Sequence, residues 1–318
     1  MRGEASTHGE HVKRDLISML DVSGDIEEIL DLASDLKLRL KRGEPHELLK
    51  GKSIAMIFEK ASTRTRVSFE VGAAHLGMAS LFLGRNDLQL GRGETIADTA
   101  RVLSRYVDLI MYRAFRRDDV MELAANASVP VINGLDNLEH PCQIIADLLT
   151  IREHKGRLGG LKLAYVGDGN NVCNSLLLGC GITRMEMTAA CPKDYAPDGN
   201  ILAEAKRLGR MHGCRITVIE DPIEAAEGAD VLYTDVWVSM GDEAEQAERE
   251  RAFRPYQVNS RLLSAAKPDC IVMHCLPAHR GQEITDGVID GPQSAVWDQA
   301  ENRLHAQKAI MLRLIGVE

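Results

Sequence analysis

The feature that most constrains this chain is a repeated switch of hydrophobic period. Short runs that are apolar on both faces, SIAMIF (53–58), ASLFL (79–83), VDLIMY (107–112) and VPVIN (129–133), are separated by helical spacing at 63–76, 95–105 and 118–125. After a long helix from Pro141 to about residue 153, the alternation restarts. LKLAYV (161–166), RMEMTAA (184–190), CRITVIE (214–220), VLYTDVW (231–237) and CIVMH (270–274) then follow as strands. Strands buried on both faces and divided by helices make βαβ units and parallel sheets. Two such series around one long helix predict an α/β protein of two lobes, each a mostly parallel sheet covered by helices, joined by long interdomain helices. The division is expected at 1–150 and 151–318, with the C-terminal helix packing back on the first lobe.

Length agrees, since 318 residues make two domains at roughly 100–200 residues each. Aromatics are only 4%, so the core must be aliphatic. The net charge of −9, with no basic half, argues against a general nucleic-acid binder. No apolar run approaches the roughly 18 residues of a membrane span. The opening residues carry no continuous hydrophobic stretch, which reads as no secretory signal, and a cytoplasmic location is expected. The seven cysteines are odd in number and scattered, without a C-x-x-C pair. They read as buried thiols, not disulfides or a structural zinc site, with Cys275 set apart below.

Three near-motifs fail on inspection. HELLKGKS (46–53) has His46 where a P-loop needs its first glycine, and it precedes a strand instead of following one. GDGNNV (167–172) follows a strand and opens a helix, but Val172 stands where a dinucleotide fingerprint has its third glycine. HCLPAH (274–279) lacks a fourth ligand nearby, so no metal is expected.

Ligands of open α/β sheets bind at the carboxyl ends of strands, and the polar clusters fall there. FEKASTRTR (58–66) ends a strand with Ser62 at a helix N-cap, followed by Thr63, Arg64 and Thr65. Free N–H groups, three hydroxyls and an arginine form a phosphate cradle. Arg66, two residues beyond Arg64, points to the other side of the helix and is expected to pair with a carboxylate. In EHPCQ (139–143), His140 precedes a helix with Pro141 at its first position, which sets His140 and Gln143 at the helix mouth. Arg113 follows strand VDLIM, and DVWVSMG (235–241) and HCLPAHRG (274–281) end two strands of the second half. Taken singly, Asp235 reads equally well as a turn residue, and Cys275 as a buried thiol.

Together these residues closely resemble the ornithine carbamoyltransferases. STRTR, HPCQ, GDGNN, DVWVSMG, HCLP and AENR (300–303) occur in family order and at family spacing over nearly the whole chain. The related aspartate carbamoyltransferases have HPLPR at the last strand end, where this chain has Cys275 and Ala278. The resemblance implies transfer of the carbamoyl group of carbamoyl phosphate to the δ-amine of L-ornithine, giving L-citrulline and phosphate, without metal or organic cofactor. Residues 1–150 would be the carbamoyl phosphate-binding domain and 151–318 the ornithine-binding domain. Ser62, Thr63, Arg64, Thr65 and Arg303 would hold the phosphate. Thr65, Arg113 and His140 would face the carbonyl oxygen, Gln143 the carbamoyl amide, and the Leu276 carbonyl the carbamoyl nitrogen. Asn171 would take ornithine's α-carboxylate and Asp235 its α-ammonium, with Ser239 and Met240 completing the pocket. Cys275 would orient or deprotonate the δ-ammonium. The resemblance also implies a homotrimer in which Gln89 reaches the neighbouring subunit's carbamoyl phosphate, and a lid after Ser239. The charged stretch 241–253 reads otherwise as a solvated helix or loop. Other readings are carbamoylation of a different amine such as putrescine, and a binding protein or nucleotide enzyme.

Overall fold

The computed structural model describes residues 13–88, 93–238 and 245–316. The first lobe runs α1 (Ile26–Lys41), β1 (Ser53–Phe58), α2 (Thr63–His75), β2 (Ala79–Gly84), α3 (Ile96–Leu103), β3 (Leu109–Arg113), α4 (Arg117–Asn126) and β4 (Val131–Leu135). Helix α5 (Pro141–Lys155) leads into β5 (Lys162–Val166), α6 (Asn171–Ile182), β6 (Glu186–Ala190), α7 (Gly199–His212), β7 (Ile216–Ile219), α8 (Pro222–Ala226) and β8 (Val231–Thr234). Then come α9 (Gln246–Phe253), α10 (Ser260–Leu263), β9 (Ile271–His274), α11 (Asp286–Ile289) and α12 (Val296–Ile315).

Both sheets are parallel, ordered β2-β1-β3-β4 and β7-β6-β5-β8-β9. In each, the first strand lies inside the sheet and later strands add on either side. That leaves a crevice between β1 and β3 in one lobe, and between β5 and β8 in the other.

Helix α5 is buried from Pro141 through Ile151, so it has no solvent face on which to be amphipathic. It packs on α12 and α6, and one apolar cluster continues from Ile29 and Leu30 through Ile144 and Leu148 to Leu163 and Met187. At the α5–α6 crossing a Cβ on Gly179 would lie 2.7 Å from Ile144 Cγ2, so a side chain there would drive the helices apart. Helix α12 also runs along α1 and α2.

Two expectations need correction. The strand predicted over 231–237 stops at Thr234, because Asp235 bends to accept the Val236 N–H on Oδ1 (2.8 Å), competing with the ladder. The charged stretch, described from residue 245, is not solvated all round: Arg249 and Phe253 on α9 are buried. Arg249 forms an ion pair with Asp168 and donates to the Trp237 carbonyl (2.8 Å). Five cysteines are buried, Cys214 and Cys275 are partly so, and all seven are free thiols. Among the described residues no helix is long and apolar enough to cross a membrane.

Candidate active site

The crevices of the two sheets face one cavity of about 470 Å³. Its walls include Lys60, Ser62, Thr63, Arg64, Thr65, Arg113, His140, Gln143 and Arg303 on one side, and Asn171, Asp235, Cys275, Leu276 and His279 on the other. A shallower cleft of about 530 Å³ beside β7, lined by Glu220, Asp221 and Arg261, collects none of the sequence-predicted residues.

The first wall is built from strand ends. Parallel pairing sets Phe58, the last residue of β1, beside Arg113, the last of β3. The chain leaving β1 is extended at Ser62, whose hydroxyl caps α2 by accepting the Thr65 N–H (3.3 Å). Thr65 Oγ1 accepts from Arg113 (3.4 Å) and from Arg303 on α12 (3.2 Å), so one hydroxyl gathers two buried guanidinium groups. Burial first, and then the charges of Arg303 and Arg64, pull the Arg113 pKa down to about 9. Burial likewise lowers Arg303. His140 at the α5 N-terminus is held by its own N–H on Ser175 Oγ (2.8 Å), which joins the lobes. Burial, reinforced by Arg303 and Arg113, keeps this imidazole far below its ordinary pKa and therefore neutral. Its Nδ1 has no partner among the described residues. Clustered cations with unmet donors at a helix N-terminus are a site for a doubly charged oxyanion.

Arg66 points away from this wall, as expected. It pairs with Glu70 (2.9 Å) and stacks 3.8 Å from the Phe82 ring centroid.

The second wall is organised around Asp235. Its Oδ1 accepts from Cys275 Sγ (2.9 Å) and its Oδ2 from Asn170 Nδ2 (2.8 Å). Burial, and next the Asp235 charge, hold the Cys275 thiol well above its ordinary pKa, so it is protonated at neutral pH. Leu276 adopts φ 60, an unusual left-handed conformation for leucine, with its N–H donating to His274 Nδ1 (2.9 Å). His274 Nε2 meets Glu283 (3.0 Å). Asp235, His274 and Cys275 have ligand-type atoms within 4.8 Å of one another, but both His274 nitrogens and the thiol already serve these hydrogen bonds.

Asn171 reaches the cavity, although its side chain donates to the Asp136 carbonyl (2.6 Å). Gln89, Ser239 and Met240 lie outside the described residues. Asn170 was missed by the sequence reading. It caps α6 through Val172 and Cys173 while orienting Asp235, and an asparagine directly before a helix was a legible signal. The turn that presents it requires Gly169, where a Cβ would sit 2.2 Å from Pro197 N.

Residues 14–153 match the family model described as aspartate/ornithine carbamoyltransferase, carbamoyl-P binding domain. Residues 159–314 match the one described as aspartate/ornithine carbamoyltransferase, Asp/Orn binding domain. The chain is 59% identical over 304 residues to the ornithine carbamoyltransferase of Carboxydothermus hydrogenoformans, covering 95% of this chain and 98% of that protein. It is 60% identical over 302 residues to that of Methanothermobacter thermautotrophicus, with coverages of 95% and 98%. Among solved structures it resembles ornithine carbamoyltransferase from Pyrococcus furiosus, with a TM-score of 0.93 and 54% identity over 96% of this chain and 98% of that one. The anabolic ornithine carbamoyltransferase of Campylobacter jejuni gives a TM-score of 0.89 at 38% identity, covering 95% and 98%.

Proposed function

Because the chain belongs to the aspartate/ornithine carbamoyltransferase family, we infer that it is a carbamoyltransferase, moving the carbamoyl group of carbamoyl phosphate to the δ-amine of L-ornithine. The observation that carries this reading is one cavity with three guanidinium groups and a neutral imidazole on one wall, and a thiol–carboxylate pair on the other.

In this reading the phosphate rests on the α2 N-terminus with Ser62, Thr63, Arg64 and Arg303. Thr65, Arg113 and His140 point at the carbonyl oxygen, where negative charge grows as the amine attacks. Donors fixed before the reaction need no reorganisation. A neutral His140 donates to that oxygen without releasing a proton. Gln143 and the Leu276 carbonyl hold the carbamoyl nitrogen, and Asn171 and Asp235 hold the α-carboxylate and α-ammonium of ornithine beside Ser239 and Met240. The δ-ammonium, ordinarily protonated at neutral pH, gives one proton to solvent as it enters the desolvated site. A protonated Cys275 orients it and is not itself the base. The new N–C bond then forms, the C–O bond breaks with its electron pair going to phosphate, and phosphate accepts the amine's second proton. Putrescine lacks the carboxylate for which Asn171 has a donor.

The same reading places the reaction in arginine metabolism in the cytoplasm and divides the domains at 150/151, within α5. It makes the protein a homotrimer whose neighbouring chain supplies Gln89. Supporting this assembly, β2 is a sheet edge, with Leu81 on it and Val67 and Val71 on α2 exposed. The test is product analysis. Citrulline and phosphate should appear in equal amounts, and only when carbamoyl phosphate and ornithine are both present.

A further inference from the structure

One turn beyond Gln143 on α5 lies Asp147, a fully buried carboxylate that the mechanism above does not use. Its Oδ1 accepts from Gln143 Nε2 (2.8 Å) and Gln299 Nε2 (2.8 Å), and its Oδ2 from the Tyr233 hydroxyl (2.9 Å). Gln299 in turn accepts the backbone N–H of His274, next to Cys275, on its Oε1 (2.9 Å). The network thus ties α5 and α12 to the ends of β8 and β9, and every atom in it has a defined role as donor or acceptor.

That definition reaches the cavity. An ionised carboxylate only accepts, so the Gln143 atom facing Asp147 must be the NH₂ group. Its Oε1 is then turned toward Arg303 (2.5 Å) and the carbamoyl end of the site. A flipped amide would set oxygen against carboxylate and NH₂ against guanidinium, two contacts of like polarity in a dry interior. Burial raises the Asp147 pKa to about 6, which still leaves it ionised at pH 7.

We propose that Asp147 is a positioning residue for substrate selection: it locks Gln143 with its carbonyl oxygen toward the acyl group, so that the site favours an acyl phosphate carrying N–H bonds over one carrying a methyl. This rests on the reading that Gln143 contacts the carbamoyl group. The relevant comparison is carbamoyl phosphate against acetyl phosphate, which have nearly the same shape and differ in NH₂ against CH₃. Without a fixed acceptor the two should bind alike. Inorganic phosphate should not sense the change at all.

The experiment measures dissociation constants of carbamoyl phosphate, acetyl phosphate and inorganic phosphate by calorimetry for wild type and Asp147→Leu at pH 7.5. Asparagine would not serve, because Gln299 Nε2 donates to the same Oδ1 and would keep an oxygen there. Leucine has a similar branched shape and offers Gln143 no acceptor, so the contact that turns its NH₂ away from the acyl group is gone. Carbamoyl phosphate binding should weaken by about tenfold or more, while the other two ligands change by less than about threefold. Parallel weakening of all three, or unchanged preference for carbamoyl phosphate, would overturn the assignment and leave Asp147 a packing role. The double variant Gln143→Glu/Asp147→Leu separates lost orientation from disturbed folding. A carboxylate is symmetric, so the new glutamate side chain, held by Arg303, presents an acceptor to the carbamoyl nitrogen in either orientation and needs no lock. Preference for carbamoyl phosphate over acetyl phosphate should return, and its absence in a folded double variant would equally overturn the proposal. Wild type that does not bind carbamoyl phosphate would instead bring down the functional reading along with the proposal.

Discussion

The thiol of Cys275 donates to Oδ1 of Asp235 across 2.9 Å, joining the residue after β9 to the residue after β8. Each partner fixes the other. Burial, and next the carboxylate, keep the thiol protonated, and the thiol leaves Asp235 Oδ2 with Asn170 as its other anchor. A site built this way should hold an amino acid by hydrogen bonding and not by thiolate chemistry.

Replacing Cys275 by serine keeps a donor but shortens its reach. Steady-state kinetics of Cys275→Ser should show kcat/KM for ornithine falling by roughly tenfold to a hundredfold, the value of one hydrogen bond to a charged group. Carbamoyl phosphate affinity should stay within about twofold. Equal losses for both ligands would mean that Cys275 only packs.

Arg64 and Arg66 separate catalysis from stability. Arg64 lines the cavity, whereas Arg66 pairs with Glu70 and stacks on Phe82 outside it. Arg64→Ala should lower kcat/KM by roughly 10²–10³, the usual cost of one preorganised donor to developing charge. Arg66→Ala should cost about 1 kcal/mol of stability with little kinetic effect. Denaturant titrations run beside the kinetics separate the two, and reversed phenotypes would reassign the helix faces.

Acid sensitivity should have a specific source in α12. His305 is buried, neither ring nitrogen has a hydrogen-bond partner among the described residues, and burial followed by the Lys308 charge lowers its pKa to about 3. The unfolded chain therefore binds a proton at this position between pH 6.5 and 3, and the folded chain does not. Stability must be lost as pH falls through that window. From pH 6.5 to pH 5 the loss from this group is about 1.5 kcal/mol. His305→Leu should flatten this part of the stability curve measured by urea denaturation. An unchanged slope would show that the acid sensitivity resides elsewhere.

How much of this could be read from residue order depended on how local the chemistry was. The α2 cradle was visible because Ser62, Thr63, Arg64 and Thr65 are contiguous and directly follow an apolar strand. His140 was visible because Pro141 marks the helix start. Arg303 enters the same cavity only through long-range folding, and without the family resemblance nothing in its neighbourhood pointed there; Cys275 stood at a strand end, but taken singly it read as a buried thiol. Asp147 was not read at all. It lies inside an apolar helix, and its partners Tyr233 and Gln299 are 86 and 152 residues away. Strand ends were misjudged where side chains bond to backbone, as at Asp235.

The shared-site trimer has a mixing test. Gln89→Ala and Arg303→Ala should each be nearly inactive. If they reassemble at random from equal amounts, about three quarters of trimers are hybrids, each with one intact site in three. About a quarter of wild-type activity should return. Recovery no greater than the mutants' average, with exchange verified by mass spectrometry, would assign Gln89 to its own chain or to no site.

Acceptor preference distinguishes a cavity that carbamoylates the δ-amine of an α-amino acid from one that does not. With carbamoyl phosphate saturating, kcat/KM is determined for L-ornithine, putrescine and L-aspartate, with the carbamoylated product identified in each case. Citrulline should form with ornithine, favoured over both alternatives by roughly 10³ or more, because the others leave Asn171 or Asp235 without its partner. Comparable turnover of putrescine or aspartate, or no citrulline from ornithine, would contradict it.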